Sequence, residues 1–189
     1  MKKKLFLTGP DRSGKSDMIH KALGDRRRNA GGFVTVRDRD EDGRIRSFDL
    51  VPADGSGQPQ RFLEYVNGKP VSHLEVFSQT GTRLLRNGAD RPFVVLDELG
   101  GVELLDESFV RALVQLLRGN TPCIGVLRGP GQAKTVGVMG LNLRYELARR
   151  VLMDNLNKDP DALVIHTTGL GDEEAMAMVE QWVETYAKN

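Results

Sequence analysis

The chain alternates short, wholly apolar runs with longer stretches whose apolar residues recur every three or four positions. Leu5-Phe6-Leu7, Pro92-Phe93-Val94-Val95-Leu96, Cys123-Ile124-Gly125-Val126-Leu127 and Ala162-Leu163-Val164-Ile165-His166 have the unbroken hydrophobicity of strands buried on both faces of a parallel sheet. Between them the period lengthens to that of a helix. Residues 15–23 read as a helix closed by Gly24. Asp106 caps a helix running through Leu117, with Phe109, Leu113, Leu116 and Leu117 on one face. Residues 141–156 and a last segment from Asp172 to Tyr186 are expected to be helical too, as is Val71 to Leu85 despite Thr80-Gly81-Thr82.

Two segments break this rhythm. Residues 33–37 and 44–51 are β-prone and flank Asp40-Glu41-Asp42-Gly43, which predicts a hairpin insertion over 31–54, followed by a loop to about residue 60. Residues 129–140 are glycine-rich and predict a flexible segment; with their basic neighbours they suggest a lid over 128–147. Alternating strands and helices, with no repeat and no linker, predict one α/β domain over 1–189. Its sheet is mostly parallel, with helices on both faces and an added β-hairpin.

Composition narrows the function classes. The 27 basic and 26 acidic residues leave a net charge of +1, so there is no global pull toward nucleic acid or an anionic membrane. The apolar run after Met1-Lys2-Lys3-Lys4 stops at Thr8-Gly9, too soon for a secretion signal, and no stretch approaches a membrane span. A single cysteine, Cys123, forms no internal disulfide, and the expected compartment is the reduced cytoplasm. His20, His73 and His166 lack metal-ligand spacing, and Trp182, with Val179 and Val183 nearby, reads as core. Arg26-Arg27-Arg28 reads as a solvated helix end.

The chemistry lies in two segments. Gly9-Pro10-Asp11-Arg12-Ser13-Gly14-Lys15-Ser16 has the Gly-x-x-x-x-Gly-Lys-Ser spacing of a phosphate loop, between a predicted strand and a predicted helix. The glycines let backbone N–H groups close around phosphate oxygens, and the helix dipole favours the anion. Lys15 is placed for the β- and γ-phosphates, and the Ser16 hydroxyl for Mg²⁺. The second segment is the strand at Phe93, which ends in Asp97-Glu98. Paired acids closing a buried strand need a use that offsets their desolvation. Asp97 is expected to hold Mg²⁺ through water, and Glu98 to orient or deprotonate the attacking water.

Residues 94–104, Val94-Val95-Leu96-Asp97-Glu98-Leu99-Gly100-Gly101-Val102-Glu103-Leu104, resemble the DE-x-G-x-x-E-L segment of the THEP1-like nucleoside-triphosphatases. The hairpin after the first helix, and the order of Phe109, an apolar helix and the strand at Cys123, resemble that family as well. The resemblance covers about Lys4 to Leu127. It implies a RecA-like sheet, Mg²⁺-dependent hydrolysis of ATP, GTP and other triphosphates, Glu98 as the hydrolytic base and Glu103 as a site-lining acid. Read without the family, Glu103 is equally a surface acid at a helix entry. The family's basic lid with Lys and His is replaced here by Arg128-Gly129-Pro130-Gly131-Gln132-Ala133-Lys134-Thr135. A cation over the γ-phosphate stabilises transition-state charge, and the candidates are Arg128 first, then Lys134 and Arg144.

Three readings follow. The first is a Mg²⁺-dependent nucleoside-triphosphatase. The second is a small-molecule or nucleotide kinase, where an acceptor hydroxyl replaces water. The third is a nucleotide-binding regulatory protein with slow turnover, whose 129–140 segment responds to the γ-phosphate and changes a protein partner's interface.

Overall fold

The computed structural model describes residues 1–129 and 142–188. The expected buried runs become the middle of one sheet: β1 (Lys4–Thr8), β6 (Phe93–Leu99), β7 (Cys123–Leu127) and β8 (Ala162–His166). With β2 (Ala30–Arg39) they pair in parallel in the order β2-β6-β7-β1-β8. Alternation within each strand explains why the runs are apolar throughout. Leu5 and Leu7 of β1, with Phe93 and Val95 of β6, enter a core under α1 (Lys15–Leu23) and a C-terminal helix over Glu173–Tyr186. Phe6, Val94 and Leu96 point to the opposite core, under α2 (Thr82–Gly88), α3 (Glu107–Arg118) and α4 (Asn142–Lys158), and the C-terminal helix is therefore α5. A sheet buried on both faces has no room for polar alternation. Trp182 of α5 is fully buried, its indole N–H donating to the Lys3 carbonyl at 3.0 Å.

The hairpin over 31–54 is present as β2 and β3 (Ile45–Pro52), paired antiparallel. Its first strand, however, is no addition: β2 pairs with β6 through Ala30–Val34 and so belongs to the parallel sheet. Beyond β3 the sheet continues through β4 (Gln60–Val66) and β5 (Lys69–Ser72), both antiparallel, which the apolar pattern does not show. The helix expected from Val71 starts later. Val71 and Ser72 finish β5, a widened π-type turn spans Phe77–Gly81, and α2 proper begins at Thr82. Phe77 packs against Phe62 and Phe109 with ring centroids 4.8 and 5.6 Å apart, so this turn joins the antiparallel extension to α3.

Candidate active site

In a parallel sheet, ligands bind beyond the carboxyl ends of the strands. Register aligns Leu7 with Val126, and Val126 with Asp97, so the loop leaving β1 and the acids ending β6 stand two strands apart at that edge. Between them opens a cleft of about 430 Å³ lined by the loop from Asp11 to Asp17, by Thr35, Arg37 and Arg39 of β2, and by Asp97, Glu98 and Val126.

The loop has the shape its glycines allow. Gly9 sits at φ 145° and Gly14 at φ 85°, and a Cβ on Gly9 would lie 2.1 Å from the Thr167 carbonyl oxygen. Arg12 also has positive φ, and Ser13 Oγ donates to the Pro10 carbonyl at 3.0 Å. Helix α1 starts at Lys15 straight after this turn, so its first N–H groups face the loop's concavity. Lys15 is buried. Its ammonium donates to the Gly9 carbonyl at 3.4 Å, to the Pro10 carbonyl, and to Ser13 Oγ at 3.2 Å. Burial lowers its pKa, while the charges of Glu98, Asp11 and Asp97 pull the other way. A buried ammonium held by neutral oxygens is a strong receptor for an anion.

Ser16 Oγ donates to Asp97 Oδ1 at 2.9 Å, joining the loop to the end of β6. Asp97 is 2% exposed, and burial, with a smaller contribution from the neighbouring charge of Glu98, pushes its carboxyl up to about 7. Its other oxygen, Oδ2, is buried without a hydrogen-bond partner among the described residues. The His20 Nε2 atom, 3.5 Å away, is in the same condition. A hydroxyl, a carboxylate with an unspent buried oxygen and adjacent room for phosphate oxygens form an all-oxygen donor set, which fits Mg²⁺. Among the described residues no group of three or more His, Cys, Asp and Glu is arranged to hold a metal ion.

Glu98 is held by arginines. Arg128 Nε and Nη2 donate to Glu98 Oε2 at 3.2 and 3.0 Å, and Arg37 Nη2 approaches the same oxygen at 3.4 Å. Arg128, the first candidate for a cation over the γ-phosphate, sits on Glu98 with Glu103 beside it, and its backbone N–H donates to the Leu99 carbonyl at 2.7 Å. Glu103 lines neither the cleft nor the surface. It is 4% exposed, and its Oε1 accepts the N–H groups of Gly100 and Gly101 at 2.6 and 2.7 Å, tying down the turn after β6. Arg144 faces elsewhere, into a groove between α3 and α4 with Leu147 and Val151. Lys134 and most of the expected lid lie outside the described residues. Cys123, fully buried with its thiol pushed up to about 12 by burial, has no part in the chemistry.

Sequence reasoning missed Arg37. An arginine on a hairpin strand reads as a surface residue. The available signal is the length of β2: ten residues, of which only the first five pair with β6.

A family model described as NTPase matches residues 4–152. The mouse cancer-related nucleoside-triphosphatase homolog is 33% identical over 145 residues, covering 67% of this chain and 74% of that protein. The nucleoside-triphosphatase THEP1 of Thermotoga sp. strain RQ2 is 27% identical over 130 residues, covering 66% and 74%. The crystal structure of THEP1 from Aquifex aeolicus shares the fold with a TM-score of 0.62 over 98% of this chain and 99% of that one, at 16% identity. The solution structure of a human cancer-related nucleoside triphosphatase matches with a TM-score of 0.52 at 23% identity, covering 82% of this chain and 98% of that one. With its phosphate loop, its paired acids and a family match running from β1 into α4, the chain belongs to the NTPase family.

Proposed function

We propose that this chain is a Mg²⁺-dependent nucleoside-triphosphatase of the cytoplasm that hydrolyses ATP, GTP and other triphosphates to the diphosphate and phosphate. The observation that carries the reading is the 2.9 Å bond from Ser16 to Asp97, which sets the phosphate loop and the carboxylates of β6 in one cleft. The names of the relatives, nucleoside-triphosphatases in mouse and in Thermotoga, support it.

The loop's N–H groups and the start of α1 receive the phosphate oxygens, and Lys15 exchanges the carbonyls of Gly9 and Pro10 for the β- and γ-phosphates. Ser16 and, through water, Asp97 are the residues that would hold Mg²⁺. When bound, this ion neutralises charge on the β- and γ-phosphate oxygens. Glu98 lies one residue beyond Asp97, on the cleft side of the strand end, where a carboxylate orients water for in-line attack on the γ-phosphorus. Arg128 fixes the orientation of that carboxylate through two donors on one oxygen. The leaving diphosphate stays on the loop.

The test is phosphate release from a panel of nucleoside triphosphates, with and without Mg²⁺, by the wild type and by Lys15→Ala. Metal-dependent release from several triphosphates, lost in the variant, is expected. Tight nucleotide binding with no release by the wild type would overturn the reading and favour transfer to an acceptor other than water.

A further inference from the structure

Strand β2 outruns the sheet. Only Ala30–Val34 pair with β6, and residues 35–39 continue as a two-stranded ribbon with β3, Thr35 opposite Leu50 and Arg37 opposite Phe48. Alternate residues of a strand share a face, and here Thr35, Arg37 and Arg39 all line the cleft that holds Lys15, Ser16, Asp97 and Glu98. The ribbon thus forms a wall of the cleft beside the phosphate loop, with Arg37 reaching Glu98 and Asp11 and Arg39 donating to the Gly43 carbonyl at the hairpin tip.

The two arginines on Glu98 are held very differently. Arg128 makes two short donations at 3.2 and 3.0 Å, and its side chain is 18% exposed. Arg37 bridges two acids at long range, Glu98 Oε2 at 3.4 Å and Asp11 Oδ1 at 3.6 Å, and is 29% exposed. Asp11 belongs to the phosphate loop and Glu98 to the end of β6, so Arg37 spans the mouth of the space the terminal phosphate enters. Its present partners share one positive charge at distances where a charge-assisted bond is weak. A terminal phosphate with three acceptor oxygens and about two negative charges offers a guanidinium a bidentate partner that neither acid supplies.

We infer that Arg37 is a γ-phosphate-binding residue of this site, supplied by the chain's own β-ribbon, and that it passes from Glu98 and Asp11 to the terminal phosphate when a triphosphate binds. The exchange links substrate to readiness for attack. While Arg37 sits on Glu98, three guanidinium N–H groups converge on one carboxylate oxygen and leave less of it open to a water. When Arg37 leaves, Arg128 alone keeps Glu98 oriented. A diphosphate does not reach Arg37, so the ribbon discriminates triphosphate substrate from diphosphate product. This inference rests on the reading of the cleft as a triphosphate site.

The experiment measures, with Mg²⁺, the affinity for a fluorescent non-hydrolysable triphosphate analogue and for the matching diphosphate. It uses wild type, Arg37→Ala, Arg37→Lys and, as a control at the hairpin tip, Arg44→Ala, whose side chain is 80% exposed. Arg37→Ala is expected to weaken the triphosphate analogue by roughly ten- to a hundredfold and to leave the diphosphate within about twofold. Arg37→Lys, which keeps the charge but not the fork, recovers part of the loss. Equal affinities before and after substitution, or parallel loss of both nucleotides in Arg37→Ala and Arg37→Lys alike, would overturn the inference. Diphosphate affinity reports whether Arg37→Ala has folded, and if it has not, Arg37→Lys alone must show the selective loss. A wild type that binds both nucleotides but releases no phosphate removes the hydrolysis reading and leaves this one to be decided by the same affinities. A wild type that binds neither overturns both.

Discussion

Asp97 makes the ligand-free protein less stable than it would otherwise be, and the cost depends on pH. Burial raises its carboxyl from the ordinary 3.8 to about 7. Below about pH 4 the group is protonated in both folded and unfolded chains. Between about pH 4 and 7 the unfolded chain releases this proton while the folded chain keeps it, so stability falls as pH rises. Above about pH 7 the group is ionised in both states and the full penalty remains. A rise of about three pH units at about 1.36 kcal/mol each sets its ceiling near 4 kcal/mol. Asp97→Asn removes the charge and keeps the shape. The amide oxygen still accepts from Ser16, and the amide nitrogen faces His20 Nε2, whose ring burial holds toward the neutral form. Urea denaturation without nucleotide or metal, followed through the fluorescence of the single buried Trp182, reads both proteins across this range. The stability of Asp97→Asn relative to wild type should rise by about 3 kcal/mol from pH 4.5 to pH 8, the remainder of the ceiling lying below pH 4.5. A difference that stays constant with pH, or that shrinks as pH rises, would refute the reasoning. The same variant should lose metal-dependent nucleotide affinity, since stability and function oppose each other at such a residue.

Other expectations follow from the same structure. Glu103→Ala strips the partner from two buried N–H groups and a counter-charge from Arg128, and should cost about 3 kcal/mol or more in denaturant titration, whereas Glu103→Gln, which keeps the acceptor, should cost less. Asp106→Ala removes the side-chain oxygen that accepts from the Phe109 N–H at 2.8 Å, an N-cap worth about 1 kcal/mol by thermal melt, with no change in nucleotide affinity.

Much of the fold was legible because its signals are local. The bounds of α1, β7 and β8 were readable from the sequence to the residue. The glycine loop, the unbroken apolar runs and the pairing of Asp172 with a helical period each mark an element without help from the rest of the chain. Strands β4 and β5 were missed because they draw their stability from pairing with β3 and with each other, and polar residues such as Gln60, Arg61, Glu64 and Lys69 interrupt their apolar pattern. One local signal was available there: Asn67 and Gly68, at φ 51° and 75°, form the positive-φ hairpin turn that Asn-Gly favours. In the site, Lys15, Ser16, Asp97 and Glu98 were readable from motif spacing, and the structure brings them into one cleft. The destinations of Arg128, Glu103, Arg144 and Arg37 were not readable in the same way. Where a long charged side chain ends depends on which carboxylates the tertiary fold sets beside it, and Arg128 meets Glu98 from 30 residues away in the chain.

The central claim is that one carboxylate, Glu98, converts a nucleotide-binding loop into a hydrolase. It is tested most directly by Glu98→Gln, comparing triphosphate affinity with single-turnover phosphate release in the presence of Mg²⁺. The account predicts affinity within a few-fold of wild type and release slowed by about two to four orders of magnitude. Release at the wild-type rate from a fully loaded Glu98→Gln protein would contradict it.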